Sequence, residues 1–287
     1  MSEKITAQQV VNRIQKNLGA PWRNSSTDVF HAGNPEAEVT GIVTTFAPTL
    51  DVLRRAVAGG KNMIISRESP FWIREAVYSG SGQPANREQV AKNPTYLFKK
   101  EYIGQNKLVI WQFHENWGGR KVDGQLRGLA MALGWDKYHK TAAKAGEQRY
   151  QAGDCFFAPP ATSLQAMAKS IHDKLKVRGM RVIGDPQTKV TKAALSHGFF
   201  LVPELQRILR EPGVDAVVIG EPVEWEASPY FMDVIASGQK KGLIVLGNEV
   251  SEEPGSAEVA AWLKTFLSEV PVEWISAGEP FWSPKPA

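Results

Sequence analysis

A strand, a helix and a second strand follow one another within about 30 residues near the amino terminus, and that order restricts the fold more than any other feature. Val39 to Phe46 is rich in β-branched and aromatic residues and reads as a strand. Thr49 can cap a helix carrying Leu50, Leu53 and Val57, closed by Gly59-Gly60. Asn62 to Ser66 is a short strand, with Met63, Ile64 and Ile65 as its apolar middle. Such a βαβ unit crosses over right-handed onto a parallel sheet, so the chain is expected to be an α/β protein.

The rest of the sequence extends this pattern. Thr6 to Leu18 predicts a helix with Thr6 at its N-cap and Gly19 as its stop, and Trp22 to Pro35 reads as loop. Lys107 to Phe113 reads as a buried strand and Gly124 to Leu133 as a helix, with Tyr78 to Pro94 a polar excursion before them. Lys140 to Pro160 reads as a junction. A helix from Ser163 to about Lys176 follows, then Met180–Ile183 and Lys189–Leu195 as strands paired around Asp185-Pro186. Val214–Ile219 and Leu243–Leu246 read as strands, Pro229–Ser237 and Ser256–Leu267 as helices, and Val272–Ile275 as a last strand. The later half thus repeats the earlier logic. The reading predicts two similar α/β lobes facing a central cleft: residues 1–140, a junction and helix over 141–175, and residues 176–287.

Composition removes several classes of function. Among 287 residues, 43% are hydrophobic and 22% charged, ordinary for a globular chain and unlike disorder or coiled coil. No apolar run approaches the ~20 residues that span a bilayer, and Met1-Ser2-Glu3-Lys4 opens no secretory signal, so no membrane partner and a cytoplasmic location are expected. The single cysteine, Cys155, excludes an intramolecular disulfide and a thiolate zinc cluster. A net charge of +4, with no run of five basic residues, gives no reason to expect nucleic acid.

In open α/β sheets ligands bind beyond the carboxyl ends of strands. Those ends supply Arg67 and Glu68, then His114 and Glu115, then Glu221 and Glu224, then Asn248, Glu249 and Glu252. Carboxylates gathered together repel, so a cluster of them calls for a cation. A divalent ion held by carboxylates and one imidazole (zinc, manganese or iron) is one answer, and a salt-bridge network around Arg67 is the other. Trp72, Trp111, Trp117, Trp135, Trp225 and Trp282 are candidates to line a pocket, with core packing as the competing account. His197, before Gly198, reads as a turn residue, and His31 could approach a site through the long loop, though nothing in the sequence requires it.

These residues carry a family likeness. Val39-Thr40-Gly41-Ile42-Val43-Thr44-Thr45 with Asn62–Ser66, Phe113–Trp117, Gly220-Glu221 with Glu224-Trp225-Glu226, and Leu246-Gly247-Asn248 to Ser251-Glu252-Glu253 resemble, in order, blocks of the Ngg-one-interacting-factor-three-like family. These toroidal, dinuclear-metal proteins are also known as type 2 GTP cyclohydrolase I homologues. The likeness covers nearly the whole chain and is closest to a bacterial branch without a large insert between the lobes. The departures fall on the metal ligands. Arg67-Glu68 stands where the family has His-His or His-Glu, His114-Glu115-Asn116-Trp117-Gly118 where it has His-Asp-His-Trp-His, and Asn248 where it has histidine.

The resemblance therefore implies a degraded or mononuclear site, with Glu68, His114 and Glu252 as the remaining ligands. From their places at the strand ends, Arg67 is expected to polarise the substrate and Glu115 or Glu221 to act as base, with Asn248, Trp117 and Glu224 as substrate contacts. The function expected is hydrolysis of a small polar amide, cyclic amide or heterocycle between the lobes, with one divalent ion or none, in a homo-oligomer (hexamer or dimer). The alternative is a non-catalytic binding or scaffold protein that kept the fold and lost the metal.

Overall fold

The computed structural model describes residues 4–71, 91–120, 122–140, 155–282 and 284. Trp72, the excursion between Tyr78 and residue 90, and residues 141–154 of the junction lie outside the described residues. The chain divides into two compact units, Met1–Arg120 with Val259–Ala277, and Lys121–Glu258 with Gly278–Ala287. The division thus falls before residue 140, and the chain rejoins the first unit partway along the helix Asn248–Leu263. The reason is burial: Val259, Ala260, Leu263 and Val272 pack into the first unit's core.

The first unit is built on a five-stranded sheet in the order Phe30–Ala32, Val109–Gln112, Met63–Ser66, Ile42–Thr45, Val272–Trp274. All neighbours are parallel except the Phe30–Ala32 edge. Ile42 faces Met63 and Met63 faces Val109, the pairing that the βαβ pattern predicts. Every residue of the three central strands is buried, because helices cover both faces of a parallel sheet. One face (Ile42, Met63, Ile65, Trp111) takes the Ala7–Asn17 helix, whose Val10, Val11 and Ile14 are buried. The other (Val43, Ile64, Ile110) takes Val52, Leu53 and Ala56 of the Leu50–Ala58 helix. Thr6 starts the first helix through a capping box: its hydroxyl accepts from Gln9 N at 3.3 Å, and the Gln9 side chain accepts from Thr6 N at 2.8 Å. Two elements depart from the sequence reading. Phe30–Ala32 is an edge strand inside the expected loop, and Pro94–Gln105 is a helix capped by Asn93.

The second unit has its own five-stranded sheet, in the order Phe156–Phe157, Ala193–Leu195, Ala216–Ile219, Gly242–Val245, Arg181–Ile183. The three middle strands are parallel and both edges antiparallel. The expected pairing of 180–183 with 189–195 does not form. Arg181–Ile183 lies along Gly242–Val245, Lys189–Val190 pairs with Thr162–Ser163, and Ala193–Leu195 enters the sheet interior. Ala193, Ala194 and Leu195 are fully buried, which suits an interior strand, whereas Arg181 and Val182 are exposed, which suits an edge. Two helices start earlier than their prolines suggested, at Glu224 rather than Pro229 and at Asn248 rather than Ser256. Glu252 consequently sits on a helix. Gly128 lets that helix approach Gly124–Ala132 closely, since a Cβ there would lie 2.5 Å from the Pro254 carbonyl oxygen. Among the described residues, no helix is long and apolar enough to cross a membrane.

Candidate functional site

In the first unit, two adjacent parallel strands end at Ser66 and Gln112 and deliver Arg67, Glu68 and His114 side by side. Arg67 Nη1 donates to the His114 carbonyl at 2.8 Å. The Arg67 carbonyl in turn accepts from Gln112 Nε2 at 2.9 Å and faces His114 Nδ1 at 3.3 Å. Glu68 Oε1 lies 3.8 Å from the same Nδ1, within ion-pair reach but beyond a hydrogen bond. A carbonyl only accepts, so this arrangement puts the His114 proton on Nδ1 and its lone pair on Nε2. His31 Nε2 meets Gln112 Oε1 at 2.8 Å and donates to it, which fixes the Gln112 amide.

Asp28 holds the backbone of this turn. Its carboxylate accepts from His114 N, from Glu115 N at 3.1 Å, from Asn116 N at 2.8 Å and from the Asn116 amide. Asn116 Oδ1 accepts from Arg23 N at 2.9 Å, and Arg23 reaches the Glu115 carbonyl at 3.0 Å. Neither Asp28 nor Asn116 stood among the residues singled out from sequence. Asp28 follows no strand, and its partners lie 86 to 88 positions away. Glu115 is exposed at the first turn of the short helix Glu115–Gly118. Trp117 is fully buried, 5.7 Å from Phe113 and 5.2 Å from Trp262 between ring centroids, so it packs the core. The Arg120 guanidinium stacks on Trp117 and Trp262, 4.2 and 4.9 Å from the ring centroids. Trp111 and Trp135 are also core residues, whereas Trp225 and Trp282 are exposed.

In the second unit the central residue is His197, which the sequence reading left as a turn. It lies just past the Ala193–Leu195 strand, 3.1 Å from Glu252 through Nδ1 and 3.2 Å from Asp123 through Nε2. Burial pushes its pKa down, but the charges of Glu252 and Asp123 and their hydrogen bonds outweigh burial and hold it up at about 10. Asp123 is also the N-cap of the Gly124–Ala132 helix, accepting from Gln125 N at 3.0 Å and Leu126 N at 3.1 Å. The other Glu252 oxygen takes the Gln125 amide. The side chains of the remaining candidates of this unit make other contacts. Glu221 accepts from Asn248 Nδ2 at 3.0 Å, and Glu224 pairs with Arg181 at 2.6 Å on an exposed surface.

These donor sets do not fit the dinuclear centre of the proteins that the sequence resembles. Glu252 meets the Gln125 amide on one carboxylate oxygen and His197 on the other, and both ring nitrogens of His197 face carboxylates. In the first unit a Cβ added to Gly118 would sit 3.9 Å from Arg67 Nη1, so a permanent cation stands over a position where the family pattern has an imidazole. Within either unit, no group of three or more His, Cys, Asp and Glu side chains among the described residues stands ready to hold an ion.

Similar proteins were found through a family model and through solved structures, and no curated protein matches. A Staphylococcus aureus hypothetical protein, SA1388, is 17% identical, with a TM-score of 0.70 over 98% of this chain and 100% of that one. The protein ybgI, described as of unknown function, is 18% identical, with a TM-score of 0.69 over 96% and 100%. A Bacillus cereus protein related to NIF3 is 14% identical, with a TM-score of 0.67 over 98% and 99%. At these identities the structures share the fold. The family model matches residues 2–278, nearly the full length, and on that match the chain belongs to the Duf34/NIF3 (NGG1p interacting factor 3) family.

Proposed function

We propose that the chain is a hydrolase for a small polar amide or cyclic amide, and that the Arg67, Glu68 and His114 group of the first unit does the chemistry without a metal ion. The observation that carries this reading is the orientation of His114, whose Nδ1 is turned to the Arg67 carbonyl with Glu68 behind it. A histidine whose Nδ1 is held as a donor carries its basic lone pair on Nε2, the tautomer a general base uses. In the proposed step Nε2 takes a proton from water and the oxygen adds to the carbonyl carbon. The C–N bond then breaks as the imidazolium returns the proton to the leaving nitrogen. Glu68 stabilises the imidazolium while it exists, and Arg67 offers fixed positive charge to the developing oxyanion or to an anionic group on the substrate. Asp28 positions the group by fixing the backbone of His114 and Glu115.

The assembly proposed with it is a homo-oligomer. Exposed Phe199, Trp225 and Met232 on the second unit support this, because aromatic residues and methionine are enriched at interfaces. Light scattering that finds only monomer at micromolar concentration overturns it.

The test of the activity is turnover of a panel of small amides and cyclic amides by the purified chain in the presence of chelator. Activity that survives chelator and falls about 100-fold or more in His114→Ala supports the reading. Binding of the same compounds without turnover would favour the non-catalytic alternative. Activity that depends on added metal would sink the metal-independent mechanism.

A further inference from the structure

The second unit carries its own cation between two carboxylates. His197 bridges Asp123 and Glu252 with both ring nitrogens at hydrogen-bond distance, 3.2 and 3.1 Å. Ionised carboxylates only accept, so each nitrogen meets them as a donor and keeps no lone pair for a metal. Asp123 is engaged a second time by the first turn of its helix, and Glu252 by the Gln125 amide. The surrounding backbone is shaped to this pairing. Gly198 has φ +65, and a Cβ there would collide with Glu252 Oε1. Its N–H donates to Ser251 Oγ at 2.9 Å, and Ser251 donates to the Asn248 carbonyl at 2.8 Å. The histidine loop is thereby tied to the helix that bears Glu252.

We infer that His197 has taken over the role of a divalent ion in this unit: it supplies the counter-charge that joins Asp123 to Glu252, and it closes Glu252 to metal. The inference is independent of the reaction proposed for the first unit. It makes the Asp123–His197–Glu252 bridge a built-in replacement for a metal rather than a metal site awaiting its ion.

Zinc titration of the full-length chain tests it, with binding followed by calorimetry and the His197 ring followed by NMR in the wild type. The expected result is that Glu252→Gln leaves zinc affinity and stoichiometry within about two-fold of the wild type, and that zinc leaves the His197 ring resonances in place. A loss of about 10-fold or more in Glu252→Gln, the scale seen when groups around a metal are removed, would overturn the inference. So would zinc-dependent displacement of the His197 resonances. That second readout needs no variant, so the inference remains open to refutation if Glu252→Gln does not fold.

Discussion

Each unit sets a histidine just past a strand of its parallel sheet, and the two histidines are held in different ways. His114 turns Nδ1 to a neutral carbonyl at 3.3 Å, with a carboxylate at 3.8 Å. His197 has both nitrogens engaged by carboxylates at 3.1 and 3.2 Å. The first arrangement sets a neutral acceptor against Nδ1. The second spends the whole ring on holding two elements together. A histidine's position at a strand end is therefore insufficient to assign its role; the number of acceptors around the ring decides it.

Substituting the two histidines should separate activity from stability. His114→Ala is expected to lower turnover by about 100-fold or more while moving the thermal midpoint little. His197→Ala strands two carboxylates and should cost about 3 kcal/mol in urea unfolding. Equal stability losses in the two variants would erase the contrast between the units.

Asp28→Ala comes next. It removes an acceptor of four hydrogen bonds and should cost about 2 kcal/mol, with a loss of turnover that follows displacement of the His114 backbone. NMR of the His114 amide checks the link. An unmoved amide would show that Asp28 supports the fold alone.

The pH response sharpens the comparison, because each unit contains a buried shifted cation, His197 in one and Lys99 in the other, and these two shifts oppose each other. The folded pKa of His197, about 10, lies above its unfolded value near 6.5. Its contribution is full below pH ~6.5 and fades as pH rises through about 10. Lys99 in the first unit is buried, with Nζ donating to the Pro70 carbonyl at 2.6 Å, and burial lowers its pKa to about 8. Its folded state binds protons less readily than the unfolded chain, so that term raises stability as pH climbs from about 8 to about 10.5. Unfolding curves across pH 6 to 11 should therefore lose a falling component in His197→Ala and a rising one in Lys99→Met. Unchanged alkaline slopes in both variants would refute the assignment.

The smallest effects concern how each unit assembles its helices. Gly128→Ala in the second unit meets the Pro254 carbonyl and should cost about 2 kcal/mol. Thr6→Ala in the first removes half of a capping box and should cost about 1 kcal/mol. Thermal melts of the two variants order them.

The first unit's site was legible because its strands are local in sequence. Ile42–Thr45 and Met63–Ser66 are joined by one helix, so the strand end that bears Arg67 and Glu68 follows from pattern alone. His197 was hidden by a pairing error. Once 189–195 is read as half of a hairpin, its end drops out of the strand ends that face ligands. Had the fully apolar Ala193-Ala194-Leu195 been read as an interior parallel strand, the same rule would have reached His197. Pro254 concealed that Glu252 is helical, since proline signals a break and the close packing around Gly128 is a contact across the fold. Nothing local announces Asp28.

By itself, then, the sequence determined the parallel α/β character of both halves, the capped first helix and the charged residues that follow the central strands. These depend on periodicity and on neighbours a few positions apart, which the order of residues specifies directly. Tertiary structure alone decided which unit receives the last strand and which carboxylates surround His197. It alone bound Asp28 to His114. Those outcomes depend on which apolar faces bury against one another, and their partners are separated by 55 to 86 residues in the chain. Periodicity carries no record of such pairings, so the same residue type meets a carbonyl in one unit and two carboxylates in the other.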